Sequence, residues 1–233
     1  MSSRQEEKAA RRAEREAQEA AAAKAAARAK RTQMALGSVL VLAIIGGSAA
    51  ALLSSGGSGK GTGTVQSTTA KVAVPPVKET DLAKAASGAG CTVSNPPIQG
   101  STHVTGTVNY KTNPPSSGDH NQVPAQDGIY APGNEPAKEN YVHALEHGRI
   151  EVEYRPGTPV RTISQIETVA SEPLNGSDAY HVLVFQNNTQ MPFQVAAVGW
   201  GHILGCRTMS PKVFDALRAF RKQYTDKGPE LIP

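Results

Sequence analysis

A long uncharged apolar stretch near the N-terminus constrains this chain more than any other feature. No charged residue occurs between Arg31 and Lys60, and residues 34–53 (MALGSVLVLAIIGGSAAALL) contain only two serines as polar side chains. A helix of twenty residues is about 30 Å long, which matches the hydrocarbon thickness of a bilayer. A water-soluble helix of this length would have a polar face, and this segment has none. The sequence therefore predicts a single transmembrane helix over residues 34–53.

The charges on either side of this helix predict its orientation. Residues 1–33 carry nine lysines or arginines, whereas residues 54–74 carry two, Lys60 and Lys71. The positively charged flank of a membrane helix normally stays in the cytoplasm. We therefore expect a single-pass protein of the cell membrane, with a cytoplasmic N-terminus and an extracytoplasmic C-terminal domain. A secretory signal cleaved after the small residues 49–51 is the alternative.

The positive charge of the chain belongs to its N-terminal tail. Residues 1–33 contain nine positive and five negative side chains, and residues 34–233 contain fifteen of each sign. A basic tail beside a membrane helix is attracted to anionic lipid headgroups. The neutral remainder offers no basic surface for nucleic acid. The expected partners are thus the lipid bilayer and its headgroups, with no nucleic acid.

Composition divides the chain into four segments. Residues 1–33 are rich in Ala, Lys, Arg and Glu without Gly or Pro, which favours a cytoplasmic helix ahead of the membrane helix at 34–53. Residues 54–74 are rich in Gly, Ser and Thr, as is typical of a flexible linker. Residues 75–233 are long enough to form one domain.

Two cysteines, Cys91 and Cys206, lie in this last segment. In an oxidising compartment the pair predicts a disulfide. In the chain-entropy model, the loop that it closes would stabilise the folded state by about 4 to 5 kcal/mol. A free thiol and a metal-bound thiol are the alternatives.

The pattern of residues 75–233 predicts an α+β fold with a largely antiparallel sheet and packed helices. Apolar residues alternate where strands are expected, and they recur every three or four residues where helices are expected. The expected strands are 103–110, 149–154, 180–186 and 193–200, the last two joined by a turn at 187–188. The expected helices are 80–87, 135–147, 159–171 and a final helix capped by Ser210, with a long irregular loop over 112–134.

A histidine-rich motif is the main candidate for chemistry. In VHALEHG, a helix would place His143, Glu146 and His147 on one face, because residues three and four apart are neighbours on a helix. Two imidazoles and a carboxylate suit copper or zinc, and His120 on the long loop can add a further ligand. Alternatively, His147 bonds the last carbonyls of the helix and Glu146 pairs with Arg149. Neither interpretation requires enzymatic activity, and the sequence favours a domain that is not an enzyme.

The same letters also match HxxEH, in which two histidines bind zinc and the glutamate activates water. A zinc-dependent hydrolase is therefore a further hypothesis, although no third carboxylate ligand is evident downstream. The sequence contains no nucleophile elbow, phosphate-binding glycine loop or nucleotide fingerprint. His103 and His181 lie in patterns typical of strands and are interpreted as ordinary surface or core-edge residues.

These motifs resemble a bacterial family, the domain of unknown function 3105. The resemblance extends over about residues 90–230, and is carried by the sequences PPSSGDH, VHALEHGRIEVEY, AVGWG before Cys206, and GPE at 228–230. It implies a membrane-anchored domain outside the cytoplasm, and it supplies no activity. Asp119 departs from the Pro expected before the histidine, and it is either another ligand or a cap of the turn.

The motif positions of the family include His120, His143, Glu146 and His147. The leading hypothesis is accordingly an extracytoplasmic domain that binds copper or zinc. A structural or protein-interaction ectodomain without metal is the alternative.

Overall fold

A computed structural model describes residues 65–66 and 72–230 of the chain. The predicted cytoplasmic tail and transmembrane helix, and most of the predicted linker, lie outside the described residues. No helix within 72–230 has both the length and the apolar character needed to cross a membrane.

The described region contains four helices, each with an identifiable buried face. The first begins after Asp81, whose carboxylate accepts a hydrogen bond from Lys84 N at 2.9 Å, and it ends at Gly90 in the left-handed conformation. The predicted last helix is confirmed, and its apolar residues Val213, Phe214, Leu217 and Phe220 are all buried. The helices are α1 (Leu82–Ala89), α2 (Lys138–Glu146), α3 (Val160–Ala170) and α4 (Val213–Tyr224).

Seven strands form one mixed sheet in the order β1-β3-β5-β4-β6-β7-β2. Four of the neighbouring pairs are antiparallel, while β5 runs parallel to both β3 and β4. Helix α3 connects β4 to β5, and a connection of this kind is what parallel neighbours require. The strands are β1 (Val65–Gln66), β2 (Cys91–Ser94), β3 (Gly128–Tyr130), β4 (Ile150–Tyr154), β5 (Val182–Gln186), β6 (Val195–Gly199) and β7 (His202–Cys206).

The α+β class is confirmed, but four local predictions are wrong. The loop expected over 112–134 is not wholly irregular, because it contains strand β3. Residues 103–110 are not a strand, because Val108 N bonds the Glu139 side chain at 2.8 Å instead of a neighbouring strand. Strands β5 and β6 are not a hairpin, since β4 lies between them. Ser210 does not cap α4 with its side chain, and only its carbonyl accepts a bond, from Val213 N at 3.1 Å.

The two faces of the sheet are covered differently. Ile150, Val152 and Tyr154 of β4 face a large apolar core shared with α1, α3 and α4. The opposite face lies under α2 and the irregular segment 95–127, where Tyr141 stacks on Phe185 with ring centroids 5.1 Å apart. The functional candidates occupy this second layer.

The predicted disulfide is confirmed. Cys91 of β2 and Cys206 of β7 are direct partners in the sheet, with Cα atoms 4.3 Å apart. The bridge ties edge strand β2, and with it α1, to the body of the sheet. Val72 N also bonds the Thr168 side chain at 3.3 Å, so residues at the end of the expected linker contact α3.

Candidate metal centre

Helix α2 is enclosed by protein, which explains how polar side chains come to be buried on it. Tyr141, Val142 and Leu145 are fully buried. His143 and Glu146 are almost completely buried. The helix lies between the sheet and segment 95–127. Any imidazole or carboxylate on its outer face therefore points at this segment and not at water.

Two stretches of the irregular segment meet above α2. Val104 N donates to His120 O at 2.8 Å, and His120 N donates to Thr102 O at 3.0 Å. This short parallel bridge sets His103 beside His120. The stretch is fastened to α2 because Asn121 N donates to Glu139 O at 3.0 Å. The segment is thus held by backbone bonds although it has little regular structure.

Four side chains converge where these elements meet. Each of them offers one ligand atom, and these atoms all lie within 4.8 Å of one another. The imidazole rings are in contact, with centroids 4.6 to 5.0 Å apart. Three of the four residues are buried, and the fourth, the histidine of the 102–104 stretch, is half-buried. We call His103, His120, His143 and Glu146 the inner cluster.

Backbone carbonyls orient two of these imidazoles. His120 Nδ1 lies 2.8 Å from Gly118 O, and His143 Nδ1 lies 2.7 Å from Asn121 O. A carbonyl can only accept, so each Nδ1 carries a proton, and in the neutral form of either ring the lone pair lies on Nε2. Metal-binding histidines are commonly held by such a bond on the other ring nitrogen.

The closest contact in the cluster joins His120 to Glu146. His120 Nε2 and Glu146 Oε2 are 3.0 Å apart. Despite this distance, His120 Nε2 has no hydrogen-bond partner among the described residues, because the direction of approach is unsuitable. A ring nitrogen and a carboxylate oxygen therefore face each other in a buried place without a hydrogen bond.

His147 stands beside the inner cluster and not within it. Its Nε2 lies 3.0 Å from His143 Nε2 and 3.9 Å from Glu230 Oε2. The last turn of α2 does not need this side chain as a cap, because the Glu146 carbonyl accepts from Glu230 N and the His147 carbonyl from Arg149 Nη1. The position of His147 points to a role at the cluster.

Burial lowers the pKa of two of these histidines. The pKa of His143 falls to about 2, chiefly through burial, with the nearby imidazoles of His147, His120 and His103 adding to the effect. The pKa of His147 falls to about 4, again mainly through burial, and then through Arg149. Both rings are consequently neutral at neutral pH, which is the form that binds metal.

The structure brings His120, His143 and Glu146 together as the motif suggested, and it adds His103. The alternation of residues 103–110 had indicated a strand, so His103 was interpreted as ordinary. No periodic pattern could reveal the bridge between residues 103 and 120, since it joins two irregular stretches. Asp119 lies outside the inner cluster, and its Oδ1 accepts from Thr102 N at 3.0 Å, so its carboxylate joins the two stretches and does not cap its own turn.

The remaining histidines lie elsewhere. His181 Nδ1 pairs with Asp226 Oδ1 at 2.6 Å. His202 bonds Asn95 at 2.6 Å and stacks on Tyr224. Neither reaches the inner cluster.

An open cleft adjoins the cluster on the side of His103. It encloses about 430 Å³ and is lined by His103, Val104, Thr105 and Gln122. One ligand of the group is thus next to solvent while the others are enclosed.

Fold and site together define an α+β domain with a largely buried three-histidine, one-glutamate cluster between a helix and an irregular segment. The chain belongs to the family described as "Protein of unknown function (DUF3105)", whose model matches residues 103–231. The matched region begins at His103 and therefore contains every residue of the inner cluster. No curated protein and no solved structure matches the chain.

Proposed function

We propose that this domain binds one transition-metal ion, copper or zinc, through His103, His120, His143 and Glu146. Imidazole nitrogens with one carboxylate oxygen are suitable ligands for either ion. In the proposed arrangement the domain stands outside the cytoplasm, on the anchor predicted at residues 34–53.

The contact between His120 and Glu146 carries this proposal. A proton between Nε2 and the carboxylate would need the geometry of a hydrogen bond, which this pair lacks. An ion needs no such alignment, because it sits to one side of the line that joins its ligands. Ligand atoms 3.0 Å apart, each about 2.0 Å from an ion, subtend roughly 95° at it, which is a normal coordination angle.

The ligand atoms of the inner cluster lie slightly farther apart than those around a bound ion. Ligand atoms of a tetrahedral zinc site lie about 3.3 Å apart, whereas those here extend to 4.8 Å. His103, on the half-buried side, has the most room to approach. Small side-chain movements toward the ion are therefore part of the proposal.

The hydrolase hypothesis has less support. In HxxEH enzymes the glutamate stays free to activate water, while here Glu146 lies in direct contact with a candidate ligand. His147, the second histidine of that motif, is outside the inner cluster. The interaction-ectodomain hypothesis predicts no bound metal at all, so the same experiment decides between it and our proposal.

The test is the metal content of the purified full-length chain. After treatment with a chelator and dialysis, titration with Zn²⁺ or Cu²⁺ should give close to one ion per chain by elemental analysis. Glu146→Gln, which keeps the shape of the side chain, and His120→Ala should each lower retained metal at least tenfold. His202→Ala is the matched control, because His202 lies outside the cluster, and it should bind normally.

Binding below a tenth of an ion per chain, with circular dichroism showing a folded domain, would refute the proposal. Equal loss of metal in the His202→Ala control would refute the assignment of ligands.

A further inference from the structure

We propose that His147 and Glu230 form an outer station, at which an arriving metal ion binds before it passes through His143 to the inner cluster. This inference rests on the proposed function and deepens it. It assigns a role to the one motif histidine that the inner cluster leaves out, and to the glutamate of the GPE sequence.

The three side chains form a path of increasing burial. The Glu230 side chain is 29% exposed, that of His147 is 4% exposed, and His143 is almost completely buried. Glu230 Oε2 is 3.9 Å from His147 Nε2, and this nitrogen is 3.0 Å from His143 Nε2. His143 therefore touches both the outer station and the inner cluster.

Glu230 is held in place by backbone contacts. Residues 226–230, which we call the C-terminal strap, cross the end of α2. Asp226 N donates to Gly148 O at 2.9 Å, and Glu230 N donates to Glu146 O at 3.1 Å. Between these bonds Gly228 lies so close to the Glu146 carbonyl that a Cβ would overlap it. The glycine of GPE thus permits the approach that brings its glutamate to His147.

Side chains fix the other end of the strap. Asp226 has a positive φ of 62°, and its two carboxylate oxygens accept from His181 Nδ1 at 2.6 Å and Asn175 Nδ2 at 3.0 Å. These bonds hold the strap against α2 and so keep Glu230 in position.

In the proposed transfer, the metal ion moves from the outer station to the inner cluster by exchanging one ligand at a time. The Glu230 carboxylate and His147 Nε2 bind the ion first and replace water on it. His147 then carries its ring proton on Nδ1, after exchange with water. His143 Nε2 then gives up its contact with His147 Nε2 and binds the ion. His120 and Glu146 next replace His147 and Glu230 as ligands of the ion. No step changes the oxidation state of the metal.

The cleft beside His103 is the competing route, because it also connects the cluster to solvent. The two routes enter from different sides, and a separate substitution tests each. Gln122→Ala alters the cleft, while His147→Gln and Glu230→Gln alter the outer station.

The experiment follows the uptake of Co²⁺ alone by the metal-free full-length chain. Stopped-flow measurement of the visible absorbance of bound Co²⁺ reports both the rate and the final coordination. His147→Gln and Glu230→Gln should each slow uptake by about tenfold or more, and leave the final spectrum and stoichiometry unchanged. Asp178→Asn removes one exposed negative charge elsewhere and, like Gln122→Ala, should keep the wild-type rate.

Each possible result is decisive. If the wild-type chain binds no Co²⁺, the proposed function fails. If it binds Co²⁺ and both outer variants take it up at the wild-type rate, the outer station alone is refuted. Slow uptake in Gln122→Ala only would assign the route to the cleft. A changed final spectrum in His147→Gln would make His147 an inner ligand and overturn the relay.

Discussion

Two glutamates on the central strand β4 are the least expected residues of the fold. Glu151 and Glu153 are completely buried on the sheet face covered by α2. Glu153 Oε2 accepts from Asn187 Nδ2 at 2.6 Å, while both oxygens of Glu151 lack a hydrogen-bond partner among the described residues. Burial raises the pKa of Glu153 to about 7, and it raises the pKa of Glu151 well above its usual range. Neutral carboxyl groups can be buried at much lower cost than charged ones.

The raised pKa of Glu153 predicts a loss of stability at higher pH. The folded chain holds this proton more tightly than the unfolded chain, so the stabilisation is complete below about pH 4.5 and is lost as pH rises to about 7. We expect Glu153→Gln, which cannot ionise, to gain up to about 3 kcal/mol relative to wild type across this range. Urea unfolding of both proteins between pH 4 and 8 measures the difference.

The comparison needs one control. Val160→Ala changes an exposed side chain that does not titrate, and its difference from wild type should stay nearly constant over the same pH range. A constant difference for Glu153→Gln as well would contradict the assignment of a shifted pKa to Glu153.

At the scale of elements, the contact between the C-terminal strap and the end of α2 depends on glycine. Gly148 has a φ of 79°, and a Cβ there would lie 2.8 Å from Asp226 Cα. Gly157 has nearly the same φ, 82°, but a Cβ there would meet no atom within 4 Å. A comparison of substitutions at these two glycines therefore separates the cost of backbone strain from the cost of steric overlap.

Gly148→Ala should accordingly destabilise the domain more than Gly157→Ala. The second substitution costs about 1 kcal/mol for the left-handed conformation, and the first adds roughly 1 to 3 kcal/mol as the strap is displaced. Chemical unfolding of both variants measures the costs. Equal losses would mean that the strap yields without strain, and that its contact with α2 is loose.

Periodicity predicted the elements whose pattern is complete within one short segment of the sequence. Helices α2, α3 and α4 and strand β4 lie close to the expected positions, because each shows a continuous apolar stripe or alternation. The pairing of β5 between β3 and β4 was not predicted, since nothing in its apolar sequence VLVF specifies which neighbour it takes. Strands β1, β2, β3 and β7 were missed. The partnership of β2 and β7 depends on residues more than a hundred positions apart.

Some residues of the candidate site could likewise be predicted from local spacing in the sequence, and others could not. His143 and Glu146 share a helix face, so their spacing in the sequence predicts that they meet. His103 joins them only through backbone bonds between two irregular stretches, and a motif of spacings does not encode such bonds. His147 shares the helix but faces Glu230, a partner that the C-terminal strap brings from 83 positions away.

At the scale of the whole molecule, the proposed surface location links the predicted anchor to the disulfide. The only two cysteines of the chain form the Cys91–Cys206 bridge, and such bridges persist in oxidising compartments. The bridge also leaves no native thiol to react with a labelling reagent. A cysteine introduced at a chosen position therefore reports the side of the membrane on which that position lies.

We predict that intact cells producing Ser177→Cys bind a membrane-impermeant maleimide, because residue 177 is exposed on the domain proposed to lie outside. Ser3→Cys, in the basic tail, should react only after the cells are lysed, since the positive flank is retained in the cytoplasm. The wild-type chain should stay unlabelled in both conditions. Labelling of Ser3→Cys but not of Ser177→Cys in intact cells would reverse the orientation, and it would place the histidine cluster in the reducing cytoplasm, where the disulfide would not be expected to persist.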